Sequence, residues 1–492
     1  MPPGDTPNLK YWEGAVTVGD PVSVHETKVF RLENPEISDR YKELARKFLY
    51  SMPSRLEIFN CYLDNGMYLF PRPLWEDTFY YRLPKSHLSF VVHGGIYKDI
   101  VGHPRFGRLS RISNLGVTTF EIPCATHSRV EHSIGAAIMA EVILRRNGFS
   151  EHDINVGIAA ALLHDIAMPP LSDYGKSACP RELDEEDNIE LVLKDKTFRK
   201  IFRKYGITPD EVVGVVRGEG LVGQIINSLG VDVDKIAYTA IDHSRTYGEL
   251  NWGKMRIIRR DPYLFDIFED VELRNREFVY KDPQRLFRFL MVRATMFDKV
   301  HFAPESRARE AHIKGILEGL WRSGKLKKDE MLLMDDDAFL RKLEGLDVDI
   351  QILQSLSFPF VELGRYQTVA EARKKHRGRN AIIDKWRTFN PATLTKTLIG
   401  EEVVSFRDGF PEKAALIEAI ATRNRYVGVY GRLEDSEDVQ RDPEILDYLT
   451  RKAKAEKTGI PRLILRYADL EPGRRVRWAL RQRRKRKHFS PV

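Results

Sequence analysis

Residues 156–163 read VGIAAALL, a run without one polar side chain that leads directly into His164-Asp165 and stops at Pro169-Pro170. Ser150 with Asp153 three residues later predicts a capped start. INVGIAAALLHDIA is then a helix that is apolar almost all round. Such a helix is buried, so further elements must surround it. The run is far too short to span a bilayer, and the two prolines end the helix. The histidine–aspartate doublet therefore falls at the end of a buried helix. A carboxylate there is costly unless it is paired or bound to a metal. An imidazole beside a carboxylate is a natural pair of ligands for a divalent cation.

Two ligands do not make a site. Ser128 can cap a helix through EHSIGAAIMAEVILRR, which stops at Gly148. The short 148–150 turn predicts antiparallel packing of the two helices. His132, near the start of the first and on the polar side of its apolar stripe, then approaches the doublet. Asp234 lies in the first turn of a later helix, DKIAYTAIDHSRTYG, introduced by Gly230 and Asp232, and is available as a fourth ligand. The same residues also fit plainer roles, His132 as an ordinary helix histidine and Asp165 as a C-terminal charge. Spacing alone does not choose between them.

The remaining sequence is arranged around this helical centre, and 492 residues leave room for two to four domains. Residues 1–88 read as a mixed region. ISDRYKELARKFLYSM (37–52) has helical spacing, and FNCYLDNGMYLF (59–70) reads as a hairpin turning at Asn65-Gly66. SFVVHGG (89–95) is a short strand. From about 97 to 310 the pattern is helical, closing with RLFRFLMVRATMFDKVHF (285–302). Residues 311–400 continue as amphipathic helices. Residues 401–470 are α+β, with strands expected in YVGVYGRL (426–433) and RLILRY (462–467), and 471–492 form a basic tail. The fold class expected is mainly α, with a mixed N-terminal region and a C-terminal α+β extension.

The net charge of +8 is unevenly spread: residues 451–492 carry 15 Lys/Arg against 3 Asp/Glu, a net +12 that leaves the rest at −4. The tail is suited to salt-sensitive, sequence-independent contact with nucleic acid, with Trp478 as a stacking residue. Cys61, Cys124 and Cys179 form no CxxC pair, which argues against a disulfide framework or a thiolate zinc site and fits a reducing compartment. A cytoplasmic location is expected, with the nucleus also open. MPPGDTPNLK lacks the basic-then-apolar pattern of a signal peptide, and no membrane association is expected.

Three stretches taken in order carry a family likeness. PRFGRLSRISNLGVTTFEIPCATHSRVEHSIGA, AALLHDIAMPPLS and GVDVDKIAYTAIDHSR resemble the HD-domain deoxynucleoside triphosphate triphosphohydrolases, of the dGTPase and SAM-and-HD-domain type. The likeness covers roughly residues 90–305. It implies an HD-domain helical bundle at 89–310, followed by a helical extension at 311–400. It also implies metal ligation by His132, His164, Asp165 and Asp234, a nucleotide substrate and a homo-oligomer. Imidazole and carboxylate donors suit Fe, Mn, Zn, Ni or Co, and Mg less well. By the same resemblance Arg129 and Lys235 contact phosphate and Arg293 holds the outer phosphates, a task that suits a forked guanidinium. Tyr238 and Asp242, on one helix face, would meet the sugar 3′-hydroxyl, with Asn114 and Leu115 near sugar and base.

This sequence also departs from the family pattern. HDxGHxPFxH is replaced by HDIAMPPLSD, so Met168 and Asp173 stand where histidines are expected. A methionine cannot transfer a proton. A downstream His-Glu pair is replaced within LDEEDNIEL, near Glu186. Asp173, Glu186, Asp187 and His127 are the available acid/base substitutes. His301 stands where a tyrosine covers the sugar in the SAM-and-HD-domain type, so exclusion of a 2′-hydroxyl is not implied.

The reaction implied is attack at the α-phosphorus, releasing nucleoside and triphosphate, with the ion acidifying water. The lost histidines keep open a monophosphate or phosphodiester substrate, a nuclease, or a scaffold that binds without turnover. Gly175-Lys176-Ser177 is not a phosphate loop, because Pro170 occupies the place of its first glycine. MDDDAF (334–339) lacks a calcium-loop glycine and reads as a helix start.

Overall fold

The computed structural model describes residues 95–432 except 123–124, 178, 180, 247–263, 355–359, 378–380 and 386, together with five short strands between 22 and 93. Its centre is an antiparallel helix pair, α1 (Arg129–Arg146) and α2 (Glu151–Leu163). Gly148, at φ +71°, turns the chain, and the Ser150 hydroxyl caps α2 by accepting the Asp153 amide proton at 3.1 Å. A Cβ on Gly157 would lie 2.4 Å from Leu144 Cδ1, so glycine there sets how closely the pair approaches. Every residue from Ile154 to Leu163 is buried, and each Leu or Ile so covered contributes roughly 1.5–3 kcal/mol.

Two local expectations are corrected. In α1 every residue from Arg129 to Glu141 is buried, so His132 lies on no polar side. A later helix packs against the face that periodicity alone assigns to solvent. Regular α2 geometry ends at Leu163, four residues before Ala167. The buried Arg108 guanidinium donates to the Ile166 and Met168 carbonyls at 2.9 and 2.8 Å, giving the freed backbone another partner.

Around this pair run α3 (Asp173–Ser177), α4 (Glu185–Leu193), α5 (Val233–Thr246) and α6 (Pro283–Met296). A π-helical turn over Phe297–His301 follows α6. Next come α7 (Pro304–Arg322) and α8 (Asp336–Glu344). Asp335 caps α8, as MDDDAF predicts.

Three sheets flank the helices. The first is antiparallel, with strands β1 (Val22–Val24), β2 (Thr27–Arg31), β3 (Tyr68–Leu69), β4 (Thr78–Arg82) and β5 (Ser89–His93) in the order β1-β2-β5-β4-β3. The described partner of β3 is β4, with Tyr68 opposite Tyr80. The turn at Asn65-Gly66 and the helix at 37–52 lie outside the described residues, as do the strand at 462–467 and the basic tail.

The second sheet has the order β11-β10-β7-β6, from β6 (Val271–Arg274), β7 (Glu277–Tyr280), β10 (Lys396–Ile399) and β11 (Glu402–Ser405). The third has the order β8-β12-β9, from β8 (Phe360–Tyr366), β9 (Ile382–Asp384) and β12 (Val427–Arg432). Residues 311–400 are therefore helical only in part. The second sheet joins strands from either side of 310, and the second and third both join strands from either side of 400. Divisions drawn from local periodicity miss this pairing, because ladder partners are distant in sequence. The protein is mainly helical with a mixed C-terminal part. Among the described residues no helix is long and apolar enough to cross a membrane.

Candidate metal centre and cavity

Ligand atoms of His132, His164 and Asp165 lie within 4.8 Å of one another, and Asp234 joins them through the two imidazoles. His132 comes from the second turn of α1, the His164-Asp165 doublet from the end of α2, and Asp234 from the first turn of α5. His132 Nε2 is 3.0 Å from His164 Nε2, 3.0 Å from Asp234 Oδ1 and 3.6 Å from Asp165 Oδ2. His164 Nε2 is 3.5 Å from both carboxylates. The His164 Nδ1–H group donates to the Ala161 carbonyl at 2.7 Å, which leaves Nε2 as the lone-pair nitrogen.

The residues fit a divalent cation. Donors about 2.0–2.2 Å from a shared ion stand roughly 2.8–3.6 Å from one another; His132, His164 and Asp165 meet that spacing, and Asp234 meets it against the two imidazoles. Electron-rich atoms gathered this closely inside a protein need a cation or proton between them. Burial by itself lowers the His164 pKa, yet Asp165 and Asp234 outweigh it and hold the ring up at about 9. Burial likewise works to raise the Asp165 carboxyl, but Arg129 and the two imidazoles bring it below its usual range. The set of two imidazoles and two carboxylates suits Fe, Mn, Zn, Ni or Co better than Mg.

A cavity of about 420 Å³ opens onto this cluster. Of the residues implied by the resemblance, Arg129, Tyr238, Asp242, Asn114 and Leu115 line it, as do Asp173 and Glu186. Arg129 donates to Asp165 at 2.7 Å, Asp173 at 3.1 Å and the Ser172 hydroxyl at 3.1 Å. Asp242 closes the other end of the cavity. Its carboxylate accepts from Asn114 Nδ2 at 2.9 Å and pairs with His127 Nε2 at 2.7 Å. His301 Nε2 lies 3.4 Å away. Burial pushes the Asp242 carboxyl up, and the His127 and His301 hydrogen bonds more than reverse that.

The structure does not bring Lys235 or Arg293 to the cavity wall. Lys235 Nζ donates to Asp232 Oδ2 at 2.5 Å and to the Ser228 carbonyl at 3.0 Å. Arg293 donates to the Tyr238 hydroxyl at 2.6 Å and the Asn390 carbonyl at 2.5 Å, with its guanidinium over the Phe297 ring at 4.9 Å. His127 is buried behind Asp242, and Asp187 is exposed away from the cavity.

Among the lining residues not singled out from the sequence are Glu185, Glu310, Arg387 and Tyr174. Arg387 reaches the wall from the C-terminal part, paired with Glu310 at 2.6 Å and Asp384 at 2.7 Å. Only the fold reveals that approach. Glu185 sits in the first turn of a capped helix, where an acidic residue reads as a dipole partner.

Residues 129–243 match the HD domain family model. The chain is 27% identical over 271 residues to the uncharacterized protein MJ1154 of Methanocaldococcus jannaschii, covering 52% of this chain and 54% of that protein. It therefore spans about half the length of that relative. It is 25% identical over 203 residues to mouse deoxynucleoside triphosphate triphosphohydrolase SAMHD1, covering 32% of this chain and 31% of that one. The fold is similar to the crystal structure of a phosphohydrolase from Bacteroides thetaiotaomicron, with TM-score 0.54 and 15% identity, over 69% of this chain and 96% of that chain. The matched segment begins at Arg129, three residues before His132, and ends beyond Asp242, so it contains His132, His164, Asp165 and Asp234. On these grounds residues 129–243 form an HD domain, and the chain is similar to proteins named as phosphohydrolases.

Proposed function

We propose that the chain is a metal-dependent phosphohydrolase acting on nucleotides, with deoxynucleoside triphosphates as the substrate class, cleaved to deoxynucleoside and triphosphate. The observation that carries this reading is the cavity lined both by His164, Asp165 and Asp234, which could hold a metal, and by the buried, hydrogen-bonded Asp242. Asp234 and Asp242 are eight residues apart on α5, about 12 Å along the axis. That span suits a molecule with phosphate at one end and sugar at the other. Similarity to a protein named as a deoxynucleoside triphosphate triphosphohydrolase supports the substrate class.

A divalent ion on the four ligands would acidify water and polarise a phosphoryl oxygen. Arg129 would orient the phosphate beside that cluster, and Asp242 with Asn114 would hold a sugar hydroxyl. Homo-oligomerisation and nucleic-acid contact by the basic tail belong to the same proposal. A second reading, binding without turnover, is favoured by Met168, which lines the cavity but has no proton to give.

The test is metal analysis of the purified protein, followed by product chromatography over deoxynucleoside triphosphates, monophosphates and phosphodiesters. Turnover of the triphosphate to nucleoside and triphosphate is expected. The doubly substituted His164→Ala/Asp165→Ala protein should lose the bound ion and fall to background activity. Persistent turnover in it would falsify the enzyme reading. Tight nucleotide binding without product in the metal-loaded wild type would establish the second.

A further inference from the structure

The helix Lys196–Lys204 reads KTFRKIFRK, and its two faces differ in kind. Phe198 and Phe202 are fully buried in the helical core, and Phe198 stacks on His103 with ring centroids 3.9 Å apart. Lys196, Arg199, Lys200, Arg203 and Lys204 are all exposed. They stand at i, i+3, i+4, i+7 and i+8, so they share one helix face as a single stripe of positive charge. The stripe runs about 12 Å along the axis.

Carboxylates meet it at its ends. Asp195 caps the helix, accepting the Thr197 amide proton at 2.9 Å, and Asp99 accepts from Lys204 Nζ at 2.8 Å. Among the described residues, Lys196, Arg199, Lys200 and Arg203 take part in no ion pair. Lys194 is exposed just before the helix, and Arg105 Nε lies 3.5 Å from Asp195, which carries the positive surface further. Residues 194–204 hold six Lys/Arg against one Asp, a net +5, in a chain whose first 450 residues sum to −4. Like charges at this spacing repel and weaken the helix that bears them. A row of negative charge laid along the stripe removes that repulsion. An anionic membrane is the poorer match, because an interfacial helix needs aromatic or leucine side chains free to enter lipid, and here Phe198 and Phe202 face the core. A phosphate backbone needs only cations in a row.

We propose that the exposed face of helix Lys196–Lys204 is a docking surface for the phosphate backbone of a nucleic acid, held without regard to base sequence. It uses neither the cavity residues nor the basic tail, and it stands independently of the hydrolase reading.

The test is fluorescence anisotropy of a labelled single-stranded DNA oligonucleotide of mixed sequence, titrated with the full chain over a series of salt concentrations. Arg199→Gln/Lys200→Gln/Arg203→Gln removes three neighbouring charges at exposed positions. It should lower the slope of log affinity against log salt by about 2, since each single-strand phosphate contact contributes about 0.7. Near about 0.1 M salt that change is a loss of about 100-fold. Lys200→Gln alone should lower the slope by about 0.7, and it decides the question if the triple variant melts early. Arg373→Gln/Lys374→Gln/Lys375→Gln makes the same change in net charge at exposed positions of another helix and should bind nearly as wild type does. Metal content should be unchanged in every variant. An unchanged slope in the stripe variants, or an equal loss in the control variant, overturns the proposal. Capture by phosphatidylserine vesicles without any oligonucleotide binding overturns it as well and assigns the stripe to a lipid surface.

Discussion

Glu121 follows a short 3-10 turn and accepts from the Ser306 hydroxyl at 3.1 Å. Burial and the neighbouring Glu305 raise its carboxyl to about 7, against the opposing pull of Arg309 and Ser306. The folded value is thus above the unfolded one, near 4.5. The stability linked to this proton is full below that unfolded value and is lost as pH rises through about 7. The loss is on the order of 2–3 kcal/mol. Glu121→Gln, which mimics the protonated form, should therefore gain on wild type by that amount between pH 5 and pH 8, as measured by denaturant unfolding at both values.

At the same scale, the convergence of His132, His164, Asp165 and Asp234 was legible because each sits in a recognisable stretch and the 148–150 turn fixes how α1 meets α2. The directions of Lys235 and Arg293 were less legible, since they depend on partners. Asp232, three residues before Lys235, was the one local signal, an i, i+3 pair. Nothing local announced Asn390 as the acceptor for Arg293.

The segment between the doublet and α3 is held almost entirely by backbone. Leu171 and Ser172 have φ values of +61° and +55°. Asp336, at the start of α8, accepts the Leu171 and Ser113 amide protons at 2.7 and 2.8 Å. A Cβ on Gly175 would lie 1.9 Å from the Pro170 carbonyl oxygen, and one on Gly116 would lie 2.3 Å from that of Leu171. The glycine of Gly175-Lys176-Ser177 thus serves packing, while its lysine donates to both Glu185 oxygens, at 2.7 and 2.8 Å. Gly175→Ala forces a carbonyl to move where no rotamer can yield. It should cost about 1–3 kcal/mol in denaturant unfolding. It should also weaken metal binding in titrations, because Ser172 helps seat the Arg129 that holds Asp165. Helix ends were largely readable from caps and glycines. Strands of three or four residues, such as β9 and β10, were not, because their pairing partners rather than their own alternation define them.

On the scale of the whole molecule, the parallel pairing of β7 with β10, with Lys396 opposite Val279, ties the helical bundle to residues more than a hundred positions later. Chains ending at 310 or at 390 lose β10 and leave β7 with an open edge. They should be poorly soluble or lack a cooperative melt, whereas a chain ending at 432 should keep one, as scanning calorimetry would show.

Arg293 extends the same dependence into the cavity. It is bonded at once to Tyr238 on the wall and to Asn390 beyond β9, while Phe389 stacks on Phe297 at 4.2 Å. Whatever occupies the cavity presses on a surface owned jointly by early and late parts of the chain. Any coupling between occupancy and the seating of the late segment has the same size in both directions, so a loosened 389–390 segment that weakens the grip on a guest would in turn be steadied by that guest.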